Sequence, residues 1–236
     1  MSKDMKLFHG SQQIVKNPEY GLGKVNNDYG RGFYCTESIE LAKEWACPNM
    51  KNGFANEYVL HTEGLKFLYL TKEPFCILNW LAILVQNRRF DIDSHVGRSA
   101  REYLLKHFLP DVSDVDVIIG YRADDSYFSF AEDFIMNTIS VRDLNAAMQF
   151  GNLGEQVVLV SEKAFSHLEF IGYEVADYRE YYYKRVDRDK KARKDYQDRK
   201  KDLQSMKEDI YILDIIREEM KKDDARLRCH LFEKSC

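Results

Sequence analysis

The sequence predicts an α+β fold. Short apolar runs typical of strands are mixed with longer segments of helical periodicity, without the regular strand–helix–strand repeat of a doubly wound parallel sheet. The chain also lacks the G-x-G-x-x-G fingerprint with which such sheets bind dinucleotides. With 236 residues, 44% of them hydrophobic, it is long enough for one well-packed core and an appendage.

The predicted elements follow one another in mixed order. Apolar and β-branched runs predict strands at residues 6–9, 32–36, 57–61, 66–70, 115–120, 156–161 and 168–173. Helical spacing predicts helices at residues 37–46, 75–90, 97–108, 128–137 and 141–150. The strongest apolar stretch, Phe75 to Val85, is too short to span a membrane, so we expect it to form a buried helix.

The character of the sequence changes after Ala176. Residues 184–202 carry ten lysines or arginines and five aspartates, which predicts a solvated basic helix that has the charge to contact nucleic acid or an acidic protein. An apolar stripe then recurs at helical spacing, formed by Met206, Ile210, Leu213, Ile216 and Met220.

We therefore expect a domain at residues 1–178 and a charged helical extension at residues 179–236. The extension should stand away from the domain, with its apolar stripe buried by its own first half, by a second copy of the chain or by a partner. Truncation after Tyr178 should then leave the domain folded.

Composition and cysteine usage exclude several classes of protein. No apolar run is long enough to cross a bilayer, and the N-terminus lacks the basic-then-apolar pattern of a signal peptide. The five cysteines form no C-x-x-C pair, so neither a zinc site nor structural disulfides are expected. We expect a cytoplasmic protein with no metal and no membrane contact.

Two motifs near the start of the chain carry the functional prediction. The first, His9-Gly10-Ser11, ends an apolar run, so a glycine without a side chain stands where a planar amide can approach its backbone. The second, Gly30-Arg31-Gly32-Phe33-Tyr34-Cys35-Thr36, sets a glycine-hinged turn before an aromatic pair. The helix predicted next carries Trp45.

In this order and spacing the motifs resemble the ADP-ribosyltransferase superfamily, in its His-Tyr-Glu branch, which includes diphtheria toxin and the poly(ADP-ribose) polymerases. The resemblance implies a split β-sheet that binds NAD in a cleft. It implies that His9 holds the adenosine ribose and that the Gly10 backbone pairs with the nicotinamide carboxamide. Tyr34 and Trp45 would then sandwich the nicotinamide ring, while Ala42 replaces a serine that the polymerases place near the carboxamide.

The same resemblance implies further NAD contacts from Ser11, Arg31, Gly32, Phe33 and Thr36. A bacterial group, the domain-of-unknown-function 3990 family, is more similar to the chain than the polymerases are. It shares the Gly-x-Gly-Phe-Tyr-x-Thr segment, the Trp45-Ala46 pair, the run Asp116–Asp125, the strand around Gln156 and the charged helix from Tyr182.

Two neighbouring residues compete for the third catalytic position. Side chains alternate along a strand, so only one of Glu155 and Gln156 can face the cleft. The polymerase pattern favours Glu155, and the bacterial family favours Gln156. Cleavage of the nicotinamide–ribose bond develops positive charge, which a glutamate stabilises directly. A glutamine keeps the hydrogen bond without the charge, which favours transfer of a single unit.

Charged residues beside these motifs supply further candidates. Asp124 and Asp125 follow an apolar strand, so they either form a turn or line the acceptor side of the cleft. Arg31 and Arg122 carry guanidinium groups that match a pyrophosphate.

The resemblance implies an NAD-dependent mono-ADP-ribosyltransferase, of the kind found as bacterial toxins and defence effectors, acting on an intracellular protein or nucleic acid. Its partner would be a small antitoxin, or the chain would self-associate through its C-terminal helices. The alternative is a non-catalytic module that binds NAD or ADP-ribose and acts through protein contacts of those helices.

Overall fold

The computed structural model describes residues 4–123, 125–148, 154–202 and 208–228. Within these ranges the fold is mixed α+β, as predicted. Its strands are β1 (Met5–Ser11), β2 (Phe33–Cys35), β3 (Gly53–Leu60), β4 (Phe67–Tyr69), β5 (Val117–Tyr121), β6 (Glu155–Leu159) and β7 (Leu168–Ala176). Its helices are α1 (Ile39–Ala46), α2 (Ile77–Asn87), α3 (His95–His107), α4 (Asp125–Ile135), α5 (Val141–Ala147), α6 (Glu162–Ser166), α7 (Tyr178–Asp202), α8 (Ile212–Arg217) and α9 (Ala225–Arg228).

The strands form two sheets. The first has the order β1-β3-β7 and is antiparallel throughout. The second has the order β2-β6-β5-β4, in which only the β4–β5 pair is parallel. One face of the second sheet packs on the first sheet, where Val117 and Ile119 meet Leu7. The other face packs on helices, where Ile118 and Val158 join the largest hydrophobic cluster.

Helix α2 is the centre of the helical layer. Every residue from Ile77 to Val85 is buried, in agreement with the prediction of a buried helix from its continuous apolar run. Asn79 is the polar exception, and it is satisfied because its side chain accepts from Cys76 N at 2.8 Å and donates to Phe108 O at 2.7 Å. Of the helices in the described ranges, none combines the length and apolar character that crossing a bilayer requires.

Each predicted strand and helix has a counterpart, and the differences lie in their ends. Strand β3 begins at Gly53, four residues before the predicted start, because small and polar residues (Gly53, Ala55 and Asn56) interrupt the apolar pattern of its first half. A Cβ atom on Gly53 would lie 2.1 Å from the Ala46 carbonyl oxygen. The short helix α6 was not predicted, and the Ser161 side chain caps it by accepting from Ala164 N at 3.0 Å.

The prediction that the C-terminal extension stands away from the domain is wrong. Helix α7 begins at the predicted boundary but packs against both α1 and α4. Arg188 forms a two-pronged ion pair with the buried carboxylate of Glu44 in α1, with N–O distances of 2.6 and 2.9 Å. Further along, the ring of Tyr196 packs on Phe130 of α4 with centroids 4.0 Å apart. The charged residues of α7 face solvent on one side of the helix only. The apolar residues between them form the side that packs on the domain.

The segment after α7 packs against the domain, which corrects the expectation of a second copy or a partner there. Ile212 and Ile215 of α8 are fully buried in the same cluster as α2 and α3, and Met220 is 2% exposed. The predicted stripe ran through Ile210 and Ile216 because it assumed one continuous helix. The chain instead starts a new helix at Tyr211, which shifts the buried face. Met206 lies outside the described residues.

Candidate functional site

In the described part of the chain, a single bridge joins the two sheets. Phe8 of β1 and Thr36, just after β2, exchange backbone hydrogen bonds of 2.8 and 2.9 Å. Beyond the bridge, β1 continues along β3, whereas β2 continues along β6. The strands therefore diverge, and a cleft opens where His9 and Tyr34 face each other.

His9 spans the start of this cleft in one defined protonation pattern. Its Nδ1 lies 2.7 Å from the Tyr34 carbonyl oxygen, and because a carbonyl only accepts, Nδ1 carries the hydrogen. Burial lowers the pKa of the imidazole and so favours its neutral form, with a lone pair on Nε2. The ring is stacked on Phe33 at a centroid distance of 4.4 Å. His9 therefore offers an acceptor to a bound donor such as a hydroxyl.

The backbone of Gly10 faces the same cleft. Successive residues of an antiparallel strand direct their N–H and C=O groups to opposite sides, and those of Phe8 point toward β2. Those of Gly10, two residues on, therefore point the same way. Continuing the register places Tyr34 opposite Gly10, but the Tyr34 carbonyl accepts from His9 instead. Gly10 thus presents an adjacent donor and acceptor, the pattern that complements a planar carboxamide.

Gly10 also brings α1 against β1. A Cβ atom at this position would lie 2.0 Å from the Ala42 carbonyl oxygen and 2.7 Å from Trp45 Cβ. Only glycine permits so close a contact, and it places Trp45 beside the cleft. The close approach is thus a structural role of Gly10 that exists beside any ligand contact.

The cleft widens into a cavity of about 910 Å³. Its lining includes residues that the sequence singled out, from strands β1, β2 and β6 and from α1: His9, Gly10, Gly32, Phe33, Tyr34, Trp45 and Gln156. The loop between β1 and β2 and the helix α7 supply most of the rest.

Two aromatic residues form fixed surfaces in the cavity. The Tyr34 hydroxyl donates to Gly30 O at 2.7 Å and accepts from Tyr29 N at 3.1 Å. These two hydrogen bonds fix the position of the ring. Burial raises the pKa of this phenol, which stays protonated. The Arg122 guanidinium lies 4.6 Å from the Trp45 ring centroid. The buried Trp45 indole N–H has no hydrogen-bond partner among the described residues.

The structure separates the two candidates on β6. Gln156 is 5% exposed and lines the cavity. Glu155 is exposed, and its carboxylate accepts from the Thr71 hydroxyl. Glu155 is not among the residues that line the cavity within the described ranges. The residue that faces the cleft from β6 therefore carries an amide.

The sequence prediction missed a buried carboxylate, Asp28, in the loop before β2. Asp28 is 6% exposed and accepts from Arg88 Nη1 at 2.9 Å, Ala123 N at 3.0 Å and Gln156 Nε2 at 3.4 Å. Burial raises the pKa of Asp28, and the Ala123 N–H, Arg88 and Arg122 oppose that rise. No motif marks this residue, because its partners come from three distant parts of the chain.

A family model described as "Protein of unknown function (DUF3990)" matches residues 5–170, which is more than half of the chain. The chain belongs to the DUF3990 family. Comparison with curated proteins and with solved structures gives no match.

In this DUF3990 protein the wall of the cavity formed by α7 lies beyond the matched range. Tyr182, Arg185, Asp189 and Lys190 of α7 line the cavity on that side. Arg185 donates to Pro48 O at 3.0 Å, which ties α7 to the end of α1. The cationic groups of α7 join Arg88, Arg122 and Lys24 around the cavity, so the lining carries more positive than negative side chains.

Three residues that the superfamily resemblance assigned to NAD contacts are not among the described residues that line the cavity. The backbone of Thr36 forms the bridge to Phe8, and its hydroxyl accepts from Ser38 N at 3.2 Å. Ser11 is at the far end of β1, where its hydroxyl accepts from Gln13 N at 3.2 Å. Arg31 is exposed at the outside of the turn.

The acidic pair after β5 is the sequence candidate for the acceptor side of the cleft. Asp125 begins α4, and Asp124 lies outside the described residues. Of the two arginines considered for an anionic group, Arg122 is the one that lines the cavity.

Proposed function

We propose that this protein is an ADP-ribosyltransferase that binds NAD in the cavity between its sheets and transfers a single ADP-ribose unit to an acceptor. One observation carries the proposal. Residues that are far apart in the sequence, and that the superfamily resemblance assigns to NAD, line one cavity: His9, Gly10, Tyr34, Trp45 and Gln156. A chance similarity of short motifs gives no reason for them to meet.

The nicotinamide end of NAD fits the inner cleft. Its carboxamide has a donor and an acceptor in one plane, which complement the N–H and C=O of Gly10. Its ring is aromatic and would lie against Tyr34 and Trp45, which gains stacking energy. The adenosine ribose has hydroxyl donors for the unprotonated Nε2 of His9.

The pyrophosphate of NAD fits the cationic part of the lining. Arg122, Arg185 and Lys190 line the cavity, and guanidinium groups match phosphate oxygens in a two-pronged geometry. Arg88 is already paired with Asp28, so we assign it to Asp28 and not to the ligand. The charge of the lining thus favours the dianionic pyrophosphate of NAD.

The reaction follows from these positions. The C–N bond between ribose C1 and nicotinamide breaks, and nicotinamide leaves with the bonding electrons. A nucleophilic atom of the acceptor then bonds to C1 and releases its proton to solvent. Gln156 is placed to accept a hydrogen bond from the ribose but adds no charge of its own to the oxocarbenium-like state. We therefore propose slow transfer of one unit, as in mono-ADP-ribosylating toxins and effectors, with a protein or nucleic acid as acceptor.

One observation supports a second candidate function, that of a non-catalytic module that binds NAD or ADP-ribose. The carboxylate nearest to Gln156 is Asp28, whose charge is compensated by Arg88 at 2.9 Å. A site without net negative charge near C1 can bind the ligand, but it accelerates cleavage of the nicotinamide–ribose bond only poorly.

The test separates binding from chemistry. Calorimetry with NAD, ADP-ribose and nicotinamide measures binding, and we expect NAD to bind. Incubation with NAD labelled on the adenine, with the purified protein and cell lysate, then measures transfer, followed by protease or nuclease digestion to identify the acceptor. Binding without label transfer or release of nicotinamide would favour the module, absence of NAD binding would overturn the transferase, and absence of binding to both NAD and ADP-ribose would overturn both.

A further inference from the structure

The buried pair formed by Asp28 and Gln156 has an incomplete hydrogen-bond set. The Gln156 amide nitrogen donates to Asp28 Oδ2 at 3.4 Å. The amide oxygen, Oε1, is buried yet has no hydrogen-bond partner among the described residues. A buried carbonyl oxygen without a donor is costly, which indicates that a bound molecule supplies one. Because Gln156 lines the cavity, a ligand bound there can supply that donor.

Asp28 determines which end of the amide meets the ligand. Three donors point at its two oxygens: Arg88 Nη1, Ala123 N and Gln156 Nε2. Three donors favour the ionised form of the carboxyl group, because a carboxylate offers acceptor sites on both oxygens. An ionised carboxylate accepts only, so it holds the NH₂ end of Gln156 toward itself and leaves Oε1 on the other side.

We propose that Asp28 is a positioning residue that locks the Gln156 amide in one orientation, so that Oε1 stands in the cavity as an acceptor for a sugar hydroxyl. The orientation rests on the geometry of this pair alone, and the identity of the hydroxyl as one of the ribose attached to nicotinamide rests on the proposed function. The site would therefore recognise a donor hydroxyl and reject a ligand that presents only an acceptor there.

A first experiment tests the contact without any ligand. In Gln156→Glu two carboxylates stand where a carboxylate and an amide stood, and they can coexist only by sharing a proton, so the pKa of the pair is raised. The folded state then holds a proton that the unfolded chain releases above a pKa of about 4.3. The stability of the variant therefore falls relative to wild type as pH rises from that value through the raised pKa.

The other groups that act on Asp28 are Arg88, Arg122, Tyr29 and Tyr34, and they are the same in both proteins. We expect the difference in melting temperature between wild type and Gln156→Glu to grow between pH 5 and pH 8. If the difference in melting temperature does not change with pH, the contact between Asp28 and Gln156 is overturned, whatever ligand the protein binds.

A second experiment tests the orientation through the ligand. Asp28→Asn keeps the shape of the side chain but presents both an acceptor and a donor, so the Gln156 amide is free to turn. We expect the dissociation constant for NAD to rise about tenfold in Asp28→Asn. The dissociation constant should change less for the NAD analogue in which the contacted hydroxyl of the nicotinamide ribose is replaced by hydrogen.

A matched control separates positioning from stability. Asp209 is also a buried carboxylate paired with an arginine, Arg142, at 2.9 Å, but it is not among the residues that line the cavity in the described part of the chain. Asp209→Asn should lose stability with NAD affinity unchanged. If Asp28→Asn weakens NAD and its deoxy analogue equally, the positioning role is overturned. If wild type binds no NAD, the proposed function fails while the pH experiment still decides the contact.

Discussion

The Nδ1 of His9 lies 2.7 Å from the carbonyl oxygen of Tyr34, and this hydrogen bond stands where the next backbone bond between β1 and β2 would have formed. A side chain thus replaces a rung of the ladder. The two strands separate at this point, and the cavity begins there. The same bond fixes the tautomer of the imidazole, so one contact determines both the shape of the cleft and the acceptor it contains.

Tyr34→Ala should weaken NAD binding by about 1 kcal/mol or more, because it removes one aromatic surface of the cleft. Tyr34→Phe is the matched control, since it keeps the ring and loses only the hydroxyl bonds to Gly30 and Tyr29. Calorimetry on both variants checks the prediction. Equal losses would mean that the hydroxyl network, and not the ring, matters for binding.

Gln156→Ala should reduce NAD affinity or turnover, while Glu155→Gln should leave both unchanged, because only Gln156 lines the cavity. Removal of one hydrogen bond to a neutral ligand group corresponds to about 1 kcal/mol, or roughly a fivefold change. Parallel titrations of both variants with NAD are the measurement. A larger effect from Glu155→Gln would reverse the assignment of the third position.

His9 should make the protein less stable in mild acid. Burial lowers the pKa of His9 in the folded state below its ordinary value of 6.5. The unfolded chain therefore takes up a proton first, and the folded state loses stability as pH falls from about 6.5 through the lowered pKa. His9→Gln lacks this contribution, so its melting temperature should fall less than that of wild type between pH 7 and pH 5. Parallel curves for both proteins would contradict the burial of a neutral imidazole.

Gly10→Ala should destabilise the protein by about 1–3 kcal/mol or more, because the new methyl group meets the Ala42 carbonyl oxygen and forces α1 away from β1. Gly172→Ala provides the control, since it also adds a methyl group to a strand of the same sheet, and nothing lies within 4 Å of it. Urea denaturation of both variants measures the difference. Similar stabilities would show that α1 moves without cost.

Truncation after Tyr178 is now expected to unfold the protein, which reverses the expectation from the sequence. The deletion exposes core that Tyr196, Ile215 and Met220 cover, at about 1.5–3 kcal/mol for each large apolar side chain. A finer test is Arg188→Met, which leaves the buried Glu44 unpaired and should cost about 3 kcal/mol. Arg193→Met breaks only an exposed pair on the same helix and should cost less than about 1 kcal/mol.

Local patterns were sufficient to predict most of the fold. The continuous apolar runs of α2 and β5 are properties of neighbouring residues, so their elements could be read directly from the sequence. Gly10 could be singled out as a position of close backbone approach, but its contacts with Ala42 and Trp45 of α1 could not.

Features that depend on distant partners could not be predicted. Asp28 has its role only because Arg88, Ala123 and Gln156 converge on it, and nothing in its neighbourhood in sequence shows that. The position of α7 was missed for a similar reason. Its abundant charge predicts solvent, while the carboxylate that binds Arg188 lies in α1. Summed composition does not reveal which few residues of a charged helix face inward.

The floor and one wall of the cavity are encoded in separate stretches of the chain. The floor comes from strands within residues 5–170, and α7, at Tyr178–Asp202, supplies the wall with Arg185 and Lys190. A chain that kept the first stretch and exchanged the second would retain the same base of the cleft under a different cover. A change in the helix alone would then alter what enters the site without disturbing the strands beneath it.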